Sequence, residues 1–131
     1  MKTDIEIMDL VWTYVKSSPL AENINGKCYK GRRPGESNTE DLCISVLANQ
    51  NGEFQEAYIN VNIYVPDLRR RTAYESDDAR LRELCRLSDD VLGLRFGSGW
   101  RWKMDSQRVY AVDGRNEQMI NNRLFFQNYN E

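Results

Sequence analysis

Residues 42 to 66 constrain this chain more than any other stretch. Leu42, Ile44, Val46 and Ala48 alternate with Cys43, Ser45 and Leu47, and Ala57, Ile59, Val61, Ile63 and Val65 alternate with Tyr58, Asn60, Asn62 and Tyr64. A period of two marks strands with one dry face. Asn49-Gln50-Asn51-Gly52 supplies a turn between them, and Asn51-Gly52 suits positive φ. Pro66 ends the return strand, because proline has no N–H to give to a ladder. That strand, from about Phe54 to Val65, spans roughly 40 Å at about 3.3 Å per residue. Most strands are half as long, so the hairpin either crosses the whole domain or projects from it. Its polar row, Tyr58, Asn60, Asn62 and Tyr64, is neither charged nor greasy. Such a face suits burial against a polar partner such as a second subunit, and equally a half-solvated sheet.

The flanking segments fit around this hairpin. Ile5, Met8, Trp12 and Val15, widened by Ile7 and Val11, predict a helix from about Asp4 to Lys16, capped by Thr3 or Asp4 and closed by Ser17-Ser18-Pro19. Gly26 to Lys30 reads as a short strand, and Gly31 to Glu40 as a polar loop long enough to carry contacts. Asp67 to Tyr74 reads as a linker. A second helix runs from about Asp77 to Leu92, with Leu81, Leu84, Cys85, Ser88, Val91 and Leu92 inward and Gly93 at its C-cap. Leu94 to Phe96, Trp100 to Met104, Gln107 to Val112 and Gln118 to Gln127 read as strands, with Trp12 and Trp100 in the core and Asn128 to Glu131 fraying. Runs of strands separated by single helices predict an α+β fold: one domain over residues 1–131, with an antiparallel sheet, a long β-hairpin and two helices packed on one face.

Composition narrows the function classes. At 131 residues, with 40% hydrophobic and 29% charged residues, the chain can bury a core without staples. The net charge of −2 speaks against a duplex-binding protein, which normally presents a basic face. No stretch approaches the roughly 18 apolar residues of a membrane span. The opening Met1-Lys2-Thr3-Asp4-Ile5-Glu6 puts acids where a signal peptide needs a basic and then an apolar run, which predicts a protein kept in the cytosol unless it leaves in a particle.

Catalytic signals are missing. Histidine, the commonest general base and metal ligand, is absent, and Cys28, Cys43 and Cys85 have no CxxC spacing. Gly97-Ser98-Gly99 lacks the helix and Lys-Ser/Thr pair of a phosphate loop. The acidic pairs Asp77-Asp78 and Asp89-Asp90 are explained by helix capping and solvation, and adjacent acids on a helix point about 100° apart. The reading is therefore a non-enzyme without cofactor or metal. Arg69-Arg70-Arg71 and Arg32-Arg33 stand out instead, as groups able to reach phosphates or acidic patches on a partner, or else as solvated charge on an acidic chain.

Several strings together carry a family resemblance. They are Ile7-Met8-Asp9-Leu10-Val11-Trp12, Tyr29-Lys30-Gly31-Arg32-Arg33-Pro34, Glu40-Asp41 leading into Leu42 to Leu47, Gln55-Glu56-Ala57, Asn60 to Pro66, the leucine-striped helix, Ser106 to Val109, and the ending Leu124-Phe125-Phe126. In order and spacing the chain resembles the small tail-completion and tail-terminator (head–tail joining) proteins of long-tailed bacteriophages and prophages. The resemblance spans nearly the whole chain, and its motifs are structural. It implies a virion protein of the tail or neck, assembled in the bacterial cytoplasm. Such relatives form homo-oligomeric rings, typically hexameric, whose sheets line a channel and whose loops grip tail-tube or connector proteins. DNA would be a passing cargo, which an acidic channel would repel. The contact residues expected are Arg32, Arg33, Arg69, Arg70 and Arg71 on loops and Tyr58, Asn60, Asn62 and Tyr64 on the hairpin. The competing reading is a small cytosolic binding or regulatory module acting as monomer or dimer.

Overall fold

The computed structural model describes residues 1–129. It is a mixed α+β fold with three helices and a six-stranded sheet. The elements are α1 (Asp4–Lys16), α2 (Pro19–Asn23), β1 (Cys28–Lys30), β2 (Leu42–Gln50), β3 (Gln55–Pro66), β4 (Leu68–Arg70), β5 (Ala73–Glu75), α3 (Asp78–Leu92), β6 (Leu94–Gly97), β7 (Trp100–Ala111) and β8 (Glu117–Asn128). The sheet order is β1-β2-β3-β8-β7-β6, and β4 and β5 form a separate two-stranded ribbon.

The dry face of β3 organises the core. Ala57, Ile59, Val61, Ile63 and Val65 are all at most 1% exposed. They pack with Ile120, Leu124 and Phe126 of β8, and with Ile7, Val11 and Val15 of α1 and Leu84 and Leu92 of α3. Thr3 caps α1 in a reciprocal box with Glu6, and Asp77 caps α3 through the Arg80 N–H. Trp102 is the large aromatic at the centre. It is fully buried, with its indole N–H donating to the Leu92 carbonyl at 3.1 Å, while Trp12 and Trp100 are only partly buried at the margin of the core. Trp100 stacks on Trp102 at 5.1 Å between centroids. A side chain at Gly97 would collide with the Trp100 ring, so glycine is required there.

Several expectations need correction. The sheet is not wholly antiparallel: β1 runs parallel to β2. Asn25 and Lys27 bond Glu40 and Asp41, which aligns the two segments in the same direction, and the Gly31–Glu40 loop makes the return crossing. Pro19 opens a third helix as well as closing the first, since proline at a helix start loses no intrahelical bond. Residues 100–111 are one strand, bulged between Met104 and Ser106, and a second bulge in β2 between Val46 and Ala48 moves Ala48 to the far face opposite Tyr58. Strand β2 continues to Gln50, and the connection to β3 has no residue at positive φ. The Asp67–Tyr74 linker is largely the β4–β5 ribbon, turned at Arg71 with φ 53°. Gly93 caps α3 in right-handed geometry. Its N–H donates to the Asp89 carbonyl at 2.9 Å, and a Cβ there would lie 2.5 Å from the same oxygen. Asn128 is buried in β8 and Tyr129 bonds Gly99, so neither frays, and the expectation for Asn130 and Glu131 lies outside the described residues. Among the described residues no helix is long and apolar enough to cross a membrane.

Candidate functional site: the open face of the sheet

Residues paired across neighbouring strands share a face of the sheet. Tyr58 pairs with Phe125, Asn60 with Arg123, Asn62 with Asn121 and Tyr64 with Met119, while Phe125 pairs onward with Lys103 and Asn121 with Arg108. All belong to the side opposite the apolar residues that meet α1 and α3. No described helix covers it.

This face is built from amides, aromatics and cations. The Asn121 side-chain N–H₂ donates to the Asn60 carbonyl oxygen at 3.1 Å and to that of Asn62 at 2.6 Å, tying β8 to β3. Tyr58 and Phe125 meet at 5.3 Å. Lys103 sits 5.9 Å over Phe125, and Arg108 sits 5.6 Å over Tyr110. Arg101 donates to Gln127 at 2.8 Å. Among the described residues, none of Arg101, Lys103, Arg108 and Arg123 takes part in an ion pair, and the buried Nε of Arg123 has no hydrogen-bond partner. The acids on this face are Glu56, bonded by Gln127, and Asp105 at the bulge, with Asp41 and Glu117 at the far end, both paired with Arg33.

The two arginine runs lie at one end of the sheet, where Asn38 of the long loop and Tyr74 of the ribbon line the same open cavity of about 430 Å³ with Pro66 and Arg115. They differ sharply in environment. Arg33 is not a free contact residue. Its side chain is 7% exposed, pairs with the buried carboxylates of Asp41 and Glu117, and stacks 3.7 Å over the Tyr64 ring. Arg115 also binds Glu117, and donates to the carbonyls of Gly35 and Ser37, so the loop is strapped to the sheet. Tyr64 is correspondingly half-covered, whereas Arg32 is exposed. Arg69, Arg70 and Arg71 are all exposed: Arg69 reaches the Tyr74 hydroxyl and Arg70 pairs with Glu75 at 3.2 Å across the ribbon.

Titration properties point to fixed charge rather than acid–base chemistry. Burial pushes the Asp41 carboxyl up, but hydrogen bonds from Ser37, the Lys27 N–H and Thr39, with the Arg33 charge, outweigh it and hold Asp41 below the usual carboxylate range. Burial pushes the Cys43 thiol up to about 11, and raises Cys28 and Cys85 as well, so none is an activated thiolate. Asp77 is occupied as a helix cap, and Asp89 and Asp90 lie exposed on α3. Among the described residues no group of three or more acidic, cysteine or histidine side chains is placed to hold a metal.

Sequence reasoning identified one strand of this face and missed the rest. Arg108, Asn121, Arg123 and Phe125 join it only through the β3–β8–β7 register. The available signals were the alternation of Arg101 and Lys103 with Trp100, Trp102 and Met104, and that of Met119, Asn121, Arg123 and Phe125 with Ile120, Asn122, Leu124 and Phe126 in the last strand. The Arg33–Asp41–Glu117–Arg115 network gave no signal, since it joins residues up to 84 positions apart. The sequence matches no protein-family model and has no significant match among curated proteins.

Proposed function

We propose that this protein is a non-enzymatic, ring-forming subunit of a phage tail or of the junction between tail and head. The observation that carries the reading is the side of the sheet left without helices. It is wide, polar, aromatic and cationic, and spans strands of up to twelve residues. Antiparallel sheets commonly keep one face in water, and here that face is rich in aromatic side chains and arginine, the residue types enriched at interfaces. A subunit among sister copies uses it as contact surface. In this reading β2 and β3 form the extended ribbon, with Tyr58, Asn60 and Asn62 facing a neighbour. Arg32 and the exposed Arg69, Arg70 and Arg71 meet acidic groups on tail-tube or connector proteins at the end of the sheet. Arg33 and Tyr64 hold the loop that presents Arg32. The resemblance to tail-completion proteins supports the same assignment, with assembly in the host cytoplasm, a place in the virion and DNA as passing cargo.

Light scattering of the purified full chain over a range of concentrations, with electron microscopy of the same samples, tests the proposal. Closed rings of one discrete stoichiometry are expected, alone or on added tail tubes. A monomer or dimer at every concentration, with or without tubes, overturns the proposal and favours the small binding module.

A further inference from the structure

The two edges of the six-stranded sheet are finished differently. At the β1 edge α1 lies alongside: the Trp12 indole N–H donates to the Cys28 carbonyl at 3.5 Å, and Lys30 pairs with Asp9 at 2.7 Å. At the β6 edge every residue from Leu94 to Gly97 is exposed. The Met104 N–H donates to the Gly93 carbonyl at 2.8 Å, and antiparallel bonding alternates from there, so Arg95 and Gly97 bond β7. The backbone N–H and C=O groups of Leu94 and Phe96 therefore point away from the sheet, and among the described residues nothing bonds them. Natural edge strands are blunted with lysine, proline or a bulge. Leu94-Arg95-Phe96-Gly97 has none of these, and its pairing with β7 is unbroken.

An open edge of this kind is completed by another strand. The pattern of β6 makes a second copy of itself the fit. In an antiparallel pair about a two-fold axis at Arg95, Leu94 of each copy stands opposite the partner's Phe96. These are the residues with free outward groups, so each such pair exchanges both of its N–H···O bonds. No other two-fold register uses both residues within β6. The side chains agree. Leu94 and Phe96 share the open face with Lys103 and Arg101, are 56% and 67% exposed, and would pack against each other across the seam. Arg95 is on the helix side and is held by its own copy, 4.7 Å over the Tyr14 ring with its Nε donating to the Val91 carbonyl at 3.4 Å. That draws the two Arg95 charges back from the axis.

We infer that two copies of this chain join edge to edge through β6, making one sheet continuous across both. The inference does not rest on the ring reading. A contact about a two-fold axis closes as a dimer, so a ring of these copies closes through other surfaces and β6 joins two rings.

Variants of the full chain test this. Phe96→Pro removes an outward N–H and spares the ladder to β7, since proline is tolerated where a strand's N–H faces solvent. Its circular dichroism should match the parent, and sedimentation equilibrium should show pairing weakened by at least about tenfold. Arg95→Cys and Leu94→Cys read the register without relying on that variant. Two Cα atoms at position 95 would stand about 4.5 Å apart, within reach of a disulfide, whereas Leu94 faces the partner's Phe96. Under mild oxidation Arg95→Cys should yield a covalent dimer, bridged at residue 95 by peptide mapping, and Leu94→Cys should not. Assembly of Phe96→Pro equal to the parent's, or Arg95→Cys that stays unbridged, overturns the inference, and closed rings of the parent then leave the ring reading standing. A parent dimer that never forms rings and that Phe96→Pro dissociates supports the inference and overturns the ring reading. A parent that is monomeric at every concentration overturns both.

Discussion

Asn62 and Ile63 are neighbours in the chain and belong to different worlds. Ile63 is fully buried between the sheet and the helices, while Asn62 lies half-exposed in an amide cluster that no helix covers. The same division runs the length of β3. It teaches that this domain is stabilised from one side and leaves the other available for contact. The arginines repeat the lesson: Arg33 is locked between two buried carboxylates, whereas Arg69, Arg70 and Arg71 stand in solvent. Conspicuous charge in a loop has become structure in one case and free surface in the other.

The largest effect expected is at Ile63. Ile63→Asp buries an unpaired charge and should cost more than about 4 kcal/mol, abolishing the cooperative unfolding transition, whereas Asn62→Asp should keep it. A folded Ile63→Asp protein would reverse the assignment of the two faces. Next comes Arg33→Ala, which removes the cation shared by Asp41 and Glu117, 1% and 3% exposed, leaving Glu117 to Arg115 and Asp41 to its hydrogen bonds alone. A loss of about 2 kcal/mol is expected in urea titration, since removing one cation from a buried network leaves its carboxylates less compensated. A loss no greater than that of an exposed arginine would show the strap to be unimportant.

Acid sharpens the comparison at lower amplitude. Asp41 titrates below its ordinary value in the folded chain, so the unfolded chain takes up its proton first as pH falls. Its contribution is therefore complete above the ordinary carboxylate range and is lost as pH drops through the folded value. Below about pH 4 the Gly31–Glu40 loop should loosen, and Asp41→Asn should flatten this part of the stability curve; an unchanged curve in that variant would remove Asp41 from the account. The smallest effect on folding belongs to Arg69, Arg70 and Arg71 changed together to Ser, with a melting shift of about 2 °C or less. The same variant should assemble poorly on tail tubes, and normal assembly would take the ribbon out of the interface.

Legibility in the sequence follows the range of the forces involved. The helix at 4–16, the stripe of α3 and the dry row of β3 were readable because local periodicity alone decides them. Helix α2 was hidden by Pro19, which serves as the end of one helix and the start of another. The parallel pairing of β1 depends on Asn25 and Lys27 finding Glu40 and Asp41, which no local pattern records. The sequence divides the single strand 100–111 in two because the bulge near Asp105 breaks the alternation. Arg32 and Arg33 are identical neighbours, and only the distant Glu117 makes one of them structural. The open face was visible as one row of four residues, and its cations became part of it only once β7 and β8 were in register.

Hydroxyl-radical labelling of the free subunit and of the assembled particle tests the central claim most directly, because Phe96 and Tyr110 are 67% and 44% exposed on the uncovered side of a lone copy. Both should be labelled readily in the free chain and strongly protected once it assembles, with Ile63 and Trp102 silent throughout. Equal labelling of Phe96 and Tyr110 in the two states would mean that this side of the sheet stays in water, and would contradict the account.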